Sequence, residues 1–309
     1  MTQKLYIAAG GNNIRIGNHL PLFTRLMRMS NEMGYDLKFP RVEKTIIDIF
    51  SSELISSDFE IDQSQKEIDR FREIAKQKSA SFKLGKFSIF DLIDENIRVI
   101  EYDGHISGEI SREDLAMLLA TPMNIVLKDP FPLSSWSLGG DNDIACATHY
   151  MSIRKDLLTR FDQFNTDRKM KISIHCRRGD FRHWQDGIYF YDDDALVQIL
   201  ESVKEISGNL DIDATLMVVS DEELPQQIMT KFGAIQNIGN IVDDFMTLAT
   251  SRYIIRGPST FARTAAIVGR TFLHNDCQDI NLGTRKDLTT SIQKLCTTLK
   301  ICSRECKPF

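Results

Sequence analysis

The sequence lacks any long apolar run, and this absence excludes a membrane-spanning helix. No stretch of the 309 residues approaches the roughly 20 consecutive apolar residues that a helix needs to cross a bilayer. The N-terminal segment "MTQKLYIAAGG" has Lys4 but no apolar core before the turn signals at 10–13, so we predict a first strand and loop there rather than a signal peptide. These absences predict a cytoplasmic protein without a transmembrane segment.

Excess positive charge is also missing. The net charge is -5 and the pI is near 5.7, which argues against a general nucleic-acid or membrane-surface binder, although a local basic cleft remains compatible with these values. We therefore expect small-molecule partners and no nucleic acid. With 309 residues and 42% hydrophobic composition, the chain can bury a large core in two modest domains or one large domain.

Cysteine spacing typical of zinc sites is absent. Four of the six cysteines, namely Cys277, Cys296, Cys302 and Cys306, lie near the C-terminus, but no C-x-x-C pair occurs and His274 is the only nearby histidine. We therefore predict no metal site. In a reducing compartment these thiols need no disulfide partners.

The second half of the sequence alternates between strand and helix patterns. We predict strands at 171–175, 215–220, 252–256 and 271–273. Between them, apolar residues at helical spacing predict helices around 196–206, 241–250 and 260–268, the last closed by Gly269. Strands that alternate with helices predict an α/β domain with a parallel, doubly wound sheet.

The first half is less regular. We predict strands at 4–8, 96–101 and 123–127, a charged helix around 61–78, and a helix capped by Ser111 with Asp114 three residues later. The segment 129–150 is rich in proline, serine and glycine and predicts a long loop toward an inter-domain connection. We place the domain boundary near 165, with a helix at about 152–164 that could belong to either half.

Three loops of the second half carry unusual polar chemistry. Ligands of open parallel sheets bind beyond the carboxyl ends of the strands, so the residues that follow each strand matter most. These loops are His175-Cys176-Arg177-Arg178-Gly179-Asp180, Ser220-Asp221-Glu222 and Gly257-Pro258-Ser259-Thr260-Phe261.

The residue types in these loops fit a nucleotide diphosphate. The planar fork of an arginine donates two parallel charge-assisted hydrogen bonds to a phosphate. Ser259 and Thr260 open a helix whose free amide groups offer a second anion site, and Asp221 could accept hydrogen bonds from a ribose or base. The alternative is purely structural: one arginine in a salt bridge, the other solvated, and a serine that only caps a helix.

Four segments together resemble a known enzyme family. The run 175–180 resembles the His-x-Arg-Arg-Gly-Asp motif of GT-B fucosyltransferases, the group that includes the α1,2-, α1,6- and protein O-fucosyltransferases. The segments "VVSDEE" and "LATSRYIIRGPSTFARTAAIVG" resemble the family's Ser-Asp strand end and its C-terminal stretch, and "IRIGNHL" resembles its Arg-x-Gly-Asn-Gln segment. The resemblance covers the C-terminal half continuously but only a few residues of the N-terminal half.

The resemblance implies a GT-B fold of two Rossmann-like domains with a donor cleft between them. Residues 1–165 would form the acceptor-side domain and residues 166–309 the nucleotide-sugar donor domain. The implied reaction is an inverting transfer of a sugar, L-fucose from GDP-fucose, to a hydroxyl of a glycan acceptor. The GDP-sugar would be a substrate, and neither a cofactor nor a metal ion would be required.

The resemblance also implies roles for individual residues. Arg177 would hold the β-phosphate of GDP-fucose, and Arg178 would brace the donor-binding loop together with Asp180. Ser259, Thr260 and Phe261 would contact the phosphates of the donor. Asp221 and His175 would contact its base and ribose. Gly17 and Asn18 would lie in an N-terminal loop that faces the donor.

The sequence departs from the family pattern at two points. His19 replaces the usual glutamine, and Ala262-Arg263-Thr264 stands where the α1,2 branch often has Ser-Trp-Trp. The acceptor and the donor sugar therefore stay open. The alternatives are a GT-B transferase that uses another nucleotide sugar and a non-catalytic nucleotide- or glycan-binding module.

The catalytic base is not identified by the motifs. Among Asp180, His183 and Asp186, we favour Asp186 because its loop also contains Trp184, an aromatic face suited to a sugar. The alternative places Trp184 in an inter-domain hinge and Asp186 in a turn before Gly187.

Because the three loops contain arginine and a helix N-terminus but no Asp-x-Asp motif, we expect sugar transfer to persist in excess EDTA. Turnover measured with and without chelator checks this. Complete loss of turnover with EDTA, restored by manganese or magnesium, would contradict it.

Overall fold

The computed structural model describes residues 4–8, 16–38, 44–52, 58–77, 82–84, 87–102, 121–128, 144, 147–149, 151–162, 170–237, 239–274, 276–293, 295 and 297. The chain divides into two compact units, Met1–Arg154 and Lys155–Phe309. The predicted boundary near 165 lies further along the chain, because a helix that the sequence could assign to either half goes with the second unit. Arg160 of this helix forms an ion pair with Asp243.

The first unit contains three α-helices and eight strands in its described residues. In chain order these are β1 (Lys4–Ala8), α1 (Ile16–Met33), β2 (Asp36–Lys38), α2 (Lys44–Ile49), β3 (Phe50–Ser52), α3 (Asp58–Gln77), β4 (Phe82–Leu84), β5 (Phe87–Leu92), β6 (Ile97–Tyr102), β7 (Asn124–Lys128) and β8 (Met151–Ile153).

The first unit is built on a mixed six-stranded sheet of order β2-β1-β7-β6-β5-β4. β2, β1, β7 and β6 pair in parallel, whereas β6, β5 and β4 pair antiparallel. The strands predicted at 4–8, 96–101 and 123–127 and the helix predicted around 61–78 are confirmed as β1, β6, β7 and α3. The helix capped by Ser111 and nearly all of the loop 129–150 lie outside the described residues.

The second unit alternates strictly between strands and helices after its first helix. The order is α4 (Lys155–Asp162), β9 (Met170–Cys176), α5 (Asp193–Asn209), β10 (Ala214–Ser220), α6 (Gln226–Phe232), β11 (Ile235–Asn237), α7 (Ile241–Ala249), β12 (Tyr253–Arg256), α8 (Thr260–Phe272) and β13 (Gln278–Asn281).

These five strands form a parallel sheet of order β11-β10-β9-β12-β13, with helices on both faces. Side chains alternate along β9: Ile172 and Ile174 pack in the core cluster that contains the apolar face of α5. Ser173 and His175 face the other side, where Ser173 hydrogen-bonds to the Ser251 hydroxyl at 2.6 Å and His175 contacts Phe261 of α8. The predicted α/β class and the parallel, doubly wound sheet are confirmed.

The strand predicted at 271–273 is wrong. α8 does not end at Gly269 but continues to Phe272, and the fifth strand is β13. The reason is close packing between helices: a Cβ atom on Gly269 would lie 2.3 Å from the carbonyl oxygen of Ala249 in α7. This glycine serves helix contact and not helix termination, a distinction that the sequence does not carry.

In the described part of the chain, no helix is both long and apolar enough to cross a membrane. Cys176 and Cys277 are buried free thiols. Within the same residues, no three His, Cys, Asp or Glu side chains are grouped so that they could hold a metal ion.

The helix contact predicts opposite effects for two glycine substitutions. Gly269→Ala should lower the free energy of unfolding by about 1 to 3 kcal/mol, because its methyl group must push α8 from α7. Gly208→Ala in α5 is the matched control: its methyl group would meet nothing within 4 Å, so it should stabilise by up to about 1 kcal/mol. Urea unfolding measures both, and equal effects at the two sites would contradict the proposed packing role.

Candidate functional site

The order of the strands creates a crevice in the second unit. The chain runs from β9 to β10 and β11, and then returns to place β12 on the opposite side of β9. Loops that leave the carboxyl ends of β9 and β12 therefore diverge, and such a switch point is where open α/β sheets bind ligands. The structure brings the loops that begin at Arg177, Asp221 and Gly257 to this edge.

Arg177 directly follows β9 and is held by a carboxylate in its own loop. Its Nε and Nη2 atoms donate to the two carboxylate oxygens of Asp180 at 2.7 and 2.6 Å, and its guanidinium lies 5.0 Å from the ring centre of Phe181. The Asp180 side chain is 57% exposed and that of Arg177 20% exposed. Such an exposed pair contributes little stability, so a more highly charged anion can compete with Asp180 for the same fork.

Arg178 points into the fold. It is buried and forms an ion pair with Asp193 in the first turn of α5, while its Nε atom donates to the carbonyl oxygen of Tyr191 at 3.3 Å. Arg178 thus braces the loop against α5. Asp180, which the sequence paired with Arg178 in that role, binds Arg177 instead.

Asp221 fastens the β9 loop from the neighbouring strand. Its carboxylate accepts hydrogen bonds from the backbone amides of Arg178 at 2.7 Å and of Gly179 at 3.2 and 3.3 Å. A Cβ atom on Gly179 would lie 3.0 Å from Asp221 Oδ2, so glycine permits this close approach. The carboxylate that the sequence assigned to ribose or base is engaged here in shaping the loop after β9.

His175 lies at the centre of the three loops. In the sheet it is registered between Val219 of β10 and Arg256 of β12, and its ring lies 5.8 Å from that of Phe261. Burial lowers the pKa of His175 to about 4, with nearby Arg177 and Arg256 adding to the shift and Asp221 opposing it. The ring is therefore neutral at pH 7.

The Nδ1 atom of His175 has no hydrogen-bond partner among the described residues, although it is buried. Buried polar atoms are nearly always hydrogen-bonded, so this nitrogen is an exception that a ligand or water at the switch point could satisfy. A neutral imidazole supplies one N–H donor and one acceptor for such a group.

The N-terminus of α8 forms another wall of the edge. Ser259 is buried and caps the helix by accepting a hydrogen bond from the Ala262 amide at 3.4 Å. The amides of Thr260 and Phe261 have no intrahelical acceptors by helix geometry, and the helix dipole adds positive potential at this end. Thr260 is exposed, whereas the Phe261 ring packs against His175 and Phe245.

Two further titratable residues escaped the sequence analysis. Arg256, the last residue of β12, is buried and donates to both carboxylate oxygens of Asp279 at 2.6 and 2.7 Å. Asp244 in the first turn of α7 accepts from the Asn237 amide at 3.0 Å, and burial raises its pKa to about 7. The sequence offered a signal for Arg256, because it is a charged residue at the end of an apolar strand. It offered none for Asp244, because acidic residues are common in the first turn of a helix.

The remaining predicted residues lie in two places. Asp186 is exposed in a left-handed turn (φ 57°) before Gly187, as one of the two sequence alternatives expected. Gly17 and Asn18 belong to the first unit and lie in the first turn of α1, not in a loop. The helix begins there because Ile16, Leu20, Phe23 and Met27 repeat at helical spacing and are all buried.

The bonds of Asp221 predict a local effect of its removal. In Asp221→Asn and Asp221→Ala, the Arg178 and Gly179 amides should exchange with solvent about tenfold faster or more, because each loses a charge-assisted acceptor. Glu222→Gln is the matched control, since this neighbouring carboxylate pairs with Arg182 and not with the loop amides. NMR measures the exchange rates of the two amides. Unchanged protection of both amides in Asp221→Ala would contradict the role of Asp221 in holding the loop.

The fold of this chain is similar to those of several solved structures. The complex of POFUT1 with GDP is 12% identical over 90% of this chain and 97% of that chain, with a TM-score of 0.48. The fucosyltransferase NodZ from Bradyrhizobium is 12% identical over 86% and 93%, with a TM-score of 0.46. NodZ α-1,6-fucosyltransferase soaked with GDP-fucose is 12% identical over 86% and 92%, with a TM-score of 0.44. No protein-family model matches the chain, and no curated protein does.

Proposed function

We propose that this protein is an inverting glycosyltransferase that transfers a sugar, L-fucose from GDP-fucose, to a hydroxyl group of a glycan. One observation carries the proposal: an arginine with an exposed partner, a helix N-terminus and a buried histidine with an orphan nitrogen converge at the switch point of a parallel sheet.

This combination fits a nucleotide diphosphate better than a neutral ligand. Two linked phosphates need cations or amide donors on more than one side, and the edge supplies both. Asp180 is the carboxylate that pairs with Arg177 among the described residues, and a phosphate would have to displace it. Arg178 and Arg256 are less suited to this task because both are buried against carboxylates of the fold. Arg177 remains as the phosphate ligand, in agreement with the motif resemblance at 175–180.

Transfer requires Arg177 to exchange its partner. As the bond between the anomeric carbon and the β-phosphate oxygen breaks, its electron pair passes to the phosphate, and Arg177 stabilises the growing charge in place of Asp180. The acceptor oxygen forms the new bond to the anomeric carbon from the opposite face, and its proton passes to a base. Asp186 is the proposed base, since it is an exposed carboxylate in the same loop.

The residues around Arg177 have supporting roles in this scheme. Asp221 sets the backbone of the phosphate loop through the Arg178 and Gly179 amides, and Ser259 fixes the start of α8. The neutral His175 ring offers its free nitrogen to the nucleotide. The two units would be the acceptor-side and donor domains of a GT-B enzyme, with a divalent cation not required.

Three variants test the role of Arg177. Arg177→Ala should lower turnover by about a hundredfold or more and weaken GDP binding, and Arg177→Lys should restore little because the fork is lost. Asp180→Asn should instead tighten GDP binding by up to about fivefold, since a competitor of the phosphate is weakened. Calorimetry with GDP and nucleotide release from a panel of GDP- and UDP-sugars measure these effects.

The same panel separates the alternatives. Release of nucleotide only from a sugar other than fucose would change the donor but keep the enzyme class. Tight GDP binding without turnover of any donor would identify a binding module. A folded Arg177→Ala protein with normal GDP affinity would remove the basis of the proposal.

A further inference from the structure

An aromatic cluster with one exposed member lies in the loop that follows Arg177. It consists of Phe181, Trp184 and Tyr189, and we call it the aromatic platform. The Trp184 centroid lies 4.9 Å from that of Phe181 and 5.0 Å from that of Tyr189, at interplanar angles of 27° and 31°. Trp184 is nevertheless 42% exposed, an unusual state for the largest apolar side chain.

The two neighbouring rings leave part of the indole uncovered. The centroids of Phe181 and Tyr189 are 6.4 Å apart. Seen from the Trp184 centroid, the two ring centres therefore lie at about a right angle to each other, and the side of the indole turned away from both is not covered by them. This uncovered side accounts for the exposure of Trp184.

The backbone holds Trp184 in this position at a conformational cost. Gln185, Asp186 and Gly187 all have positive φ values, of 48°, 57° and 72°. Two consecutive non-glycine residues in the left-handed region are unfavourable, and such strain is retained where the surrounding structure needs it. A Cβ atom on Gly187 would lie 2.9 Å from the Arg182 carbonyl oxygen, which fixes the turn against the start of the loop.

The platform is joined to the phosphate-binding arginine through one ring. Phe181 stacks on Trp184 and also contacts the Arg177 guanidinium, 5.0 Å from its ring centre. If Arg177 holds the leaving phosphate, the sugars that react must lie close to it, because the anomeric carbon is attached to that phosphate. This step rests on the function proposed above.

From this geometry we infer that the uncovered side of the Trp184 indole is a stacking subsite for a pyranose ring of the acceptor glycan. The C–H bonds on the apolar face of a pyranose carry partial positive charge and are attracted to the negative face of an aromatic ring. His183, Gln185 and Asp186 flank the indole and are exposed, so they can bind the hydroxyl groups at the rim of the sugar. One indole face matches one sugar ring and is far too small for a protein interface.

Saturation-transfer NMR tests the subsite without a known acceptor. Lactose, cellobiose and N,N′-diacetylchitobiose serve as probes of the GDP-bound protein. At least one should receive saturation on its ring C–H protons, retain it with Trp184→Phe and lose it with Trp184→Ala. Ile235→Ala is the matched control, because Ile235 is an exposed apolar residue of β11 outside the platform and its replacement should leave the signal unchanged.

Each outcome decides the inference. Absence of transfer to all three disaccharides, or a full signal in Trp184→Ala with native circular dichroism, would overturn it. So would a loss of GDP affinity of about tenfold in Trp184→Ala, since the indole would then stack on the guanine base. Saccharide binding that depends on Trp184, in a protein that binds no nucleotide, would leave the subsite standing and defeat the proposed transferase.

Discussion

The hydrogen-bonded position of β9 between β10 and β12 is the constraint on which the second unit depends. β9 pairs in parallel with β10 along its full length and with β12 from Ile172 to His175. A strand paired on both sides and covered on both faces has little freedom at its carboxyl end. The direction in which His175 and the following loop leave the sheet is therefore set by the core. The switch point arises because the chain extends the sheet first on one side of β9 and then on the other.

At this edge, charge pairing distinguishes two structural arginines from Arg177, the proposed phosphate-binding residue. Arg178 and Arg256 are buried and bound to Asp193 and Asp279, and removal of either carboxylate would leave a buried charge uncompensated. Arg177 differs because its partner belongs to the same loop and because its own side chain is 20% exposed, against 7% for Arg178 and 8% for Arg256. Similar side chains next to one another thus differ in how costly it is to separate each from its carboxylate, and this cost is lowest for Arg177.

Burial favours the neutral form of two groups at the same edge. The pKa of His175 falls to about 4 and that of Asp244 rises to about 7, in both cases with loss of solvation as the largest cause. A neutral histidine suits a hydrogen bond to the proposed nucleotide, because it adds no fixed charge that must be balanced when that ligand leaves. Asp221 opposes the lowering of the His175 pKa, adds to the raising of the Asp244 pKa and also fastens the loop after β9, so it links the electrostatics of the edge to its shape.

The sequence by itself determined the main strands and helices of the second unit, since buried residues repeat with periods that report secondary structure, and it placed Arg177, Asp221 and Ser259 after strand ends. The three-residue strands β2, β3, β4, β8 and β11 escaped it because so few residues define no period. Only the tertiary structure decided that α8 continues through Gly269, that Asp221 binds the loop amides and that Asp279 neutralises Arg256. These outcomes depend on contacts between residues distant in sequence, and local propensity carries no information about which partner will be near.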